Sequence, residues 1–214
     1  MELHAKPADK MNIFFDLDGT LLDSRKRVYL LFQHLVPTSS FSFDEYWNLK
    51  RNKINHQKIL SDYFSYSENE IKAFEKNWMN LIEADEWLFL DQPLDGVTEL
   101  LKTLSVQHNL YIVTARQFKS KVFQQIDDFG WKGLFIDALV TEQKKEKFEL
   151  INEKQDIILN KNDIFAGDTG KDIETGKKLG IKTIAVSNGF LNEASLIKYQ
   201  PDKIIDSVVN LNIE

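Results

Sequence analysis

The 214 residues contain no cysteine, four prolines, nine glycines and four histidines. Without cysteine there are no disulfides, no thiolate metal ligands, no zinc ribbon and no cysteine nucleophile. Four prolines leave little room for a proline-rich linker, and no segment is repeated or low in complexity. No apolar run approaches the length of a membrane span. Residues 1–10 carry Glu2, Lys6, Asp9 and Lys10 and lack the apolar stretch of a secretory leader. Positive charge is also short. There are 27 Lys and Arg against 33 Asp and Glu, a net charge of −6, so no global field favours nucleic acid. What is present is 43% apolar and 28% charged, enough for a real core and too ordinary for a disordered chain. The expectation is a cytoplasmic globular protein with no nucleic-acid or membrane partner.

Apolar periodicity divides the chain. Asn12-Ile13-Phe14-Phe15 reads as a short buried strand ending at Asp16. From about Ser24 to about Leu90 the pattern is helical, with Val28, Leu31, Phe32 and Leu35 on one face and Ile71, Phe74, Trp78, Leu81 and Ile82 on another. Shorter helices are predicted at 44–53 and 57–64. After Pro93, strands predicted at 110–113, 138–140, 164–166 and 183–186 alternate with helices, the signature of a parallel sheet covered on both faces. Residues 1–21 and 92–214 therefore read as one discontinuous α/β core, with 22–91 inserted as a helical domain. Thirteen of the 25 aromatic residues fall in that insert. Packing of a small bundle explains most of them, and one or two are candidates for a pocket wall.

Ligands of open α/β sheets bind at the carboxyl ends of strands, and the chemically suggestive residues sit there. In Asp16-Leu17-Asp18-Gly19-Thr20 the i, i+2 spacing points both carboxylates to one side of an extended chain. Gly19 lets backbone amides approach an anion and Thr20 offers a hydroxyl, although an acidic turn after a strand has the same composition. Gly167-Asp168-Thr169-Gly170-Lys171-Asp172 follows another predicted strand. Helix capping by Asp168 and Asp172 would explain it alone. Taken together, four carboxylates at one sheet edge repel one another unless a cation intervenes, and an all-oxygen set favours Mg²⁺. Thr114 ends a third strand, placed either to donate to a phosphoryl oxygen or to cap a helix. Lys144-Lys145-x-Lys147 is either solvated surface or, through one lysine, a phosphate partner.

In this order these residues resemble the haloacid dehalogenase superfamily of phosphatases. The resemblance runs from Phe14-Phe15-Asp16-Leu17-Asp18-Gly19-Thr20-Leu21-Leu22-Asp23-Ser24 through Gly167-Asp168-Thr169-x-x-Asp172 to Asn188-Gly189. The first motif and Pro93-Leu94-Asp95-Gly96-Val97 resemble the phosphoglycolate-phosphatase-like branch, whose mobile helical cap follows that motif. The resemblance implies a Rossmann-like parallel sheet with helices on both faces plus an inserted α-helical cap. It implies that Asp16 is the nucleophile, Asp18 the general acid and then base, and that Thr114, Ala115 and Lys147 meet the phosphoryl group with Gly19 and Thr20. Mg²⁺ would be held by Asp16, Asp168, Asp172 and the backbone carbonyl of Asp18. Where the family commonly has Lys-Pro, this chain has Lys147-Phe148, which fits the spacing to the next helix better than Lys145 does. Ala115-Arg116 stands where Asn often follows the Thr, with Arg116 reading either substrate or a neighbouring carboxylate. Dehalogenases lack the second aspartate because a halide needs no proton, so Asp18 implies phosphoryl chemistry. The expected activity is hydrolysis of a small phosphorylated metabolite by a monomer or homodimer. A sugar-phosphate mutase on the same scaffold is the alternative, and a phospho-receiver module a more distant one. In the insert, Arg25-Lys26-Arg27 and Lys50-Arg51-x-Lys53-x-x-His56-x-Lys58 are either solvated helix faces or hold a reader of a second anion on the substrate.

Overall fold

The computed structural model describes residues 10–213. The expectation about a secretory leader at residues 1–10 falls almost wholly on residues 1–9, outside the described span. The order of elements is β1 (Asn12–Phe15), β2 (Leu22–Asp23), α1 (Arg25–Leu35), α2 (Phe43–Arg51), α3 (His56–Phe64), α4 (Glu68–Leu81) and α5 (Asp85–Leu88). There follow β3 (Gln92–Pro93), α6 (Val97–Gln107), β4 (Asn109–Thr114), α7 (Lys119–Asp128), β5 (Asp137–Val140) and α8 (Lys147–Asn152). The chain then forms β6 (Ile164–Gly167), α9 (Gly170–Leu179), β7 (Lys182–Val186), α10 (Glu193–Leu196) and β8 (Lys203–Ile205). Among the described residues no helix is long and apolar enough to cross a membrane.

Six strands form one parallel sheet in the order β5-β4-β1-β6-β7-β8. Every residue of β1 is buried. Successive side chains of a strand point to opposite faces, so Ile13 and Phe15 pack with Leu101, Val122, Ile126 and Trp131 on one side. Phe14 faces the other way, stacked on Tyr111 at 5.1 Å and on Phe165 at 6.3 Å. Both faces are covered, which is why the strands read as apolar runs. Two sheet features lie outside the sequence reading. β8 is a three-residue edge strand, too short to carry a pattern. β2 and β3 pair antiparallel, Leu22 with Pro93 and Asp23 with Gln92, so the chain's exit from the core and its return are stitched together.

Between these two crossings lie five helices. Their breaks follow polar residues that satisfy the free amides of a helix start. Ser42 with Glu45 and Ser67 with Glu70 form capping boxes on α2 and α4, and Asn55 caps α3 through the amide of Lys58. The insert has its own core of Val28, Phe32, Tyr46, Trp47, Ile59 and Phe74. Phe32 is its hub, with ring contacts to Tyr46 at 4.7 Å and to Phe74 at 6.0 Å. Most aromatics of the insert are therefore packing residues, as a bundle this small requires.

Phe32 is fully buried, so Phe32→Ala leaves a cavity that neighbouring rings cannot fill. The variant is expected to lose about 3–5 kcal/mol of stability, read from the midpoint of urea unfolding at constant slope.

Candidate active site

β4, β1 and β6 are adjacent, and their carboxyl ends deliver Thr114, Asp16 and Asp168 to one place. The amide of Asp16 still donates to the Ala166 carbonyl at 2.9 Å, extending the β1–β6 ladder by one residue. The chain then turns tightly, with the amides of Leu21 and Leu22 returning to the Leu17 carbonyl at 2.9 and 3.0 Å. Gly19 has φ +80°, and a Cβ there would lie 2.3 Å from Asp168 Oδ2. Both the backbone and the space therefore demand glycine. Gly189, in the loop after β7, faces the same oxygen, where a Cβ would also come within 2.3 Å.

Asp16, Asp168 and Asp172 each offer an oxygen, and these oxygens lie within 4.8 Å of one another. One ammonium serves them. Lys147 Nζ donates to Asp172 Oδ1 at 2.6 Å and pairs with Asp16 Oδ1 at 2.7 Å. Lys145 instead pairs with Glu153 on the surface, so Lys147 is the lysine brought to the carboxylates. Burial pushes Asp16 up to about 7, with Lys147 pulling down and Asp172 pushing up. Asp168 is driven well above the carboxylate range by burial and then by Asp16 and Asp172. Burial opposes the charge of Lys147, yet Asp16 and Asp172 outweigh it and hold the ammonium above its usual range. Three buried carboxylates with one cation carry an excess of negative charge, and their donors are all oxygen. That set suits a hard divalent cation.

Asp172 also keeps the capping role considered from the sequence, accepting from the Thr169 hydroxyl at 2.6 Å and the Thr169 amide at 3.0 Å. The helix cap is Thr169 and not Asp168. Asp168 accepts from Thr20 Oγ1 at 3.2 Å and from the Phe190 amide at 2.5 Å. The Gly19 amide is spent on the Leu22 carbonyl at 2.8 Å, and the buried Thr20 hydroxyl supports Asp168. Thr114 caps no helix, since α7 begins five residues later.

Asp18 is outside the acidic group. Its carboxylate accepts from Arg116 Nε at 2.6 Å and Nη2 at 2.7 Å, and from Arg27 on α1. Both arginines reach on to Asp91, Arg27 at 2.8 Å and Arg116 at 3.0 Å. The four side chains close a ring of alternating charge across the core, the first cap helix and the return crossing. Gln125 braces it, accepting from Arg116 at 2.8 Å and donating to Asp91 at 3.2 Å. Burial would raise Asp18, but Arg116 and Arg27 hold it below the usual carboxylate range. Arg116 thus reads a neighbouring carboxylate. Asp91 and Gln125 were not among the sequence candidates for the site, and Arg27, a candidate reader of a second substrate anion, instead pairs with Asp18 and Asp91.

A cleft of about 390 Å³ separates these groups from the insert. Asp16, Asp18, Thr114 and Ala115 line its floor, and Lys50, His56 and Trp78 its roof. Trp78 is thus the pocket-wall aromatic.

The fold and site define an α/β protein with a cation-fitting acidic centre beneath a helical cap. The profile of the haloacid dehalogenase-like hydrolases matches residues 13–186, and the chain belongs to that family. It is 25% identical to the pyrophosphatase PpaX of Halalkalibacterium halodurans, over 93% of this chain and 94% of that protein. It is also 25% identical to a phosphoglycolate phosphatase of Aquifex aeolicus, over 86% and 88% of the two chains. A 5′-nucleotidase of Pseudomonas aeruginosa shares 26% over 89% and 88%. Among solved structures, a haloacid dehalogenase-like hydrolase of Streptococcus pneumoniae superposes with TM-score 0.76 at 23% identity, covering 94% and 95% of the chains. The magnesium-bound HAD hydrolase YfnB of Bacillus subtilis superposes with TM-score 0.62 at 19% identity, covering 94% and 96%.

Two predictions follow from the electrostatics. Asp16 is raised from 3.8 to about 7 on folding. A carboxyl whose native pKa is raised contributes stability below its unfolded pKa and loses it as pH rises through the native value. In EDTA the melting temperature is expected to fall between about pH 4 and pH 7, and Mg²⁺ at pH 7.5 to restore it. Asp91→Ala leaves two buried guanidiniums sharing one carboxylate. A loss of about 3–5 kcal/mol in urea unfolding is expected.

Proposed function

We propose that this chain is a Mg²⁺-dependent phosphatase that hydrolyses a small phosphomonoester in the cytoplasm through an aspartyl-phosphate on Asp16. The observation that carries this reading is the Asp16 carboxylate on the cleft floor, grouped with Asp168 and Asp172 and paired with Lys147. A nucleophile of this kind splits one difficult displacement into two easier ones. Residues 22–91 act as the cap that closes over the reaction and excludes water.

Mg²⁺ held by Asp16, Asp168 and Asp172, with the backbone carbonyl of Asp18, supplies positive charge that lets a carboxylate approach a phosphate dianion. The rest is done by side chains. Asp16 attacks phosphorus and the P–O bond to the leaving group breaks. Lys147 neutralises the transferring oxygens and Thr114 donates to one of them. Asp18 gives a proton to the leaving oxygen in the first half and takes one from the attacking water in the second. With both arginines on it, Asp18 is an ionised carboxylate suited to the second half. For the first half it must be freed from at least one guanidinium, and Arg27, being on the cap, is the one a cap movement withdraws.

The purified chain is expected to hydrolyse p-nitrophenyl phosphate with Mg²⁺ and to stop in EDTA. Asp16→Asn is expected to lower kcat by more than about 10³-fold with an unchanged circular dichroism spectrum. Full activity in EDTA or in that variant would overturn the mechanism.

A further inference from the structure

The cap carries a dense basic run, and most of its charges have partners. Arg25 is bound to Asp23 and Arg27 to the Asp18–Asp91 ring. Arg51 donates to the Ser187 carbonyl at 2.7 Å, Lys53 to the Tyr199 hydroxyl, and Lys58 to Asp62 at 2.7 Å. Lys26 is exposed. Lys50 differs from all of these. It is half-buried in the last turn of α2, lines the same cleft as Asp16, and has neither a hydrogen-bond partner nor an ion-pair partner among the described residues.

Its surroundings do not compensate the charge. His56 faces the same cleft, but burial holds it well below the usual histidine range, and its Nε2 is engaged by the Tyr46 hydroxyl at 2.7 Å. Trp78 lies against the His56 ring at 4.2 Å between centroids. With Val28 and Ile82 they make a largely apolar roof around the ammonium, while the other charged groups the insert brings to this cleft are engaged elsewhere, Arg27 by Asp18 and Asp91 and Glu83 by the Gln117 and Phe118 amides. Burial without a counter-ion brings Lys50 down to about 8. An unpaired, partly desolvated cation is costly to a fold unless something else completes it. Helix α2 accounts for a cation at its carboxyl end, but not for one lining the cleft with no acid within ion-pair distance. The cleft is at the small end of the range for ligand sites, so a ligand seated at Asp16 also comes close to the roof.

We propose that Lys50 is a specificity-determining residue whose ammonium reads a second anionic group, a carboxylate or a second phosphate, on the leaving part of the substrate. This rests on the phosphatase reading. It narrows the substrate from any small phosphomonoester to one with an acid at each end.

The test compares 2-phosphoglycolate and pyrophosphate with p-nitrophenyl phosphate, whose leaving part carries no charge before cleavage. For each anionic substrate the quantity read is its kcat/KM divided by that for p-nitrophenyl phosphate. Lys50→Met is expected to lower this ratio about 10- to 100-fold, the range of a charge-assisted contact. Lys50→Arg is expected to recover most of it. Lys58→Met, on an exposed face outside the cleft, serves as the control and leaves the ratio where it was. A fall for one anionic substrate alone supports the proposal and identifies which acid is read. An unmoved ratio overturns the proposal, including the case where Lys50→Met weakens all three substrates equally, while the phosphatase reading stands. If the unaltered protein hydrolyses none of the three, the phosphatase reading falls and the proposal falls with it.

Discussion

Mutual repulsion among Asp16, Asp168 and Asp172 is the constraint on which the rest of the site depends. Three buried carboxylates share one lysine, and like charges this close cannot all ionise without further positive charge. Much of the local sequence serves to hold them together regardless. Glycines at 19 and 189 make room for Asp168, the Thr20 hydroxyl and the Phe190 amide donate to it, and Thr169 locks Asp172 at the start of α9. A divalent cation would relieve that crowding, so in the proposed reading affinity for the metal and instability without it are two sides of one arrangement.

Two carboxylates two residues apart meet opposite fates. Asp16 points into the crowded, lysine-poor group and rises, whereas Asp18 points to two guanidiniums and falls. One extended dipeptide step therefore yields two chemically distinct oxygen acids. That separation of environments is what the proposed roles of nucleophile and proton carrier require of two residues of one type.

The legible part of the structure was the local part. Strand β1 and the aspartates behind it announce themselves because a buried run ending in Asp-x-Asp lies within seven residues. Lys147 was reachable through its spacing to α8. The charge ring was not, since Arg27 and Asp91 are 64 positions apart and neither sits in a pattern that names the other. Strand β8 is three residues long, and β2 and β3 are two each, below the length at which periodicity exists. Gly19 was read as letting backbone amides approach an anion, and Thr20 as a hydroxyl beside them. Their own donors are engaged by the Leu22 carbonyl and by Asp168, partners that residue type does not show. Eight basic residues of the insert were candidates, with nothing in their order to rank them. Only the tally of partners in three dimensions leaves Lys50 unmatched.

Phe190 is one of several residues that join the core to the insert. Its ring packs on Trp47 at 5.2 Å between centroids, inside the aromatic cluster of the insert, while its own amide holds Asp168. A single residue is thus both a piece of lid upholstery and a strut of the acidic centre. Trp47 of α2 and the Asp168 carboxylate are thus linked through one residue. If the insert is the lid proposed above, the seating of its rings and the grip on that carboxylate meet at this one side chain and its amide.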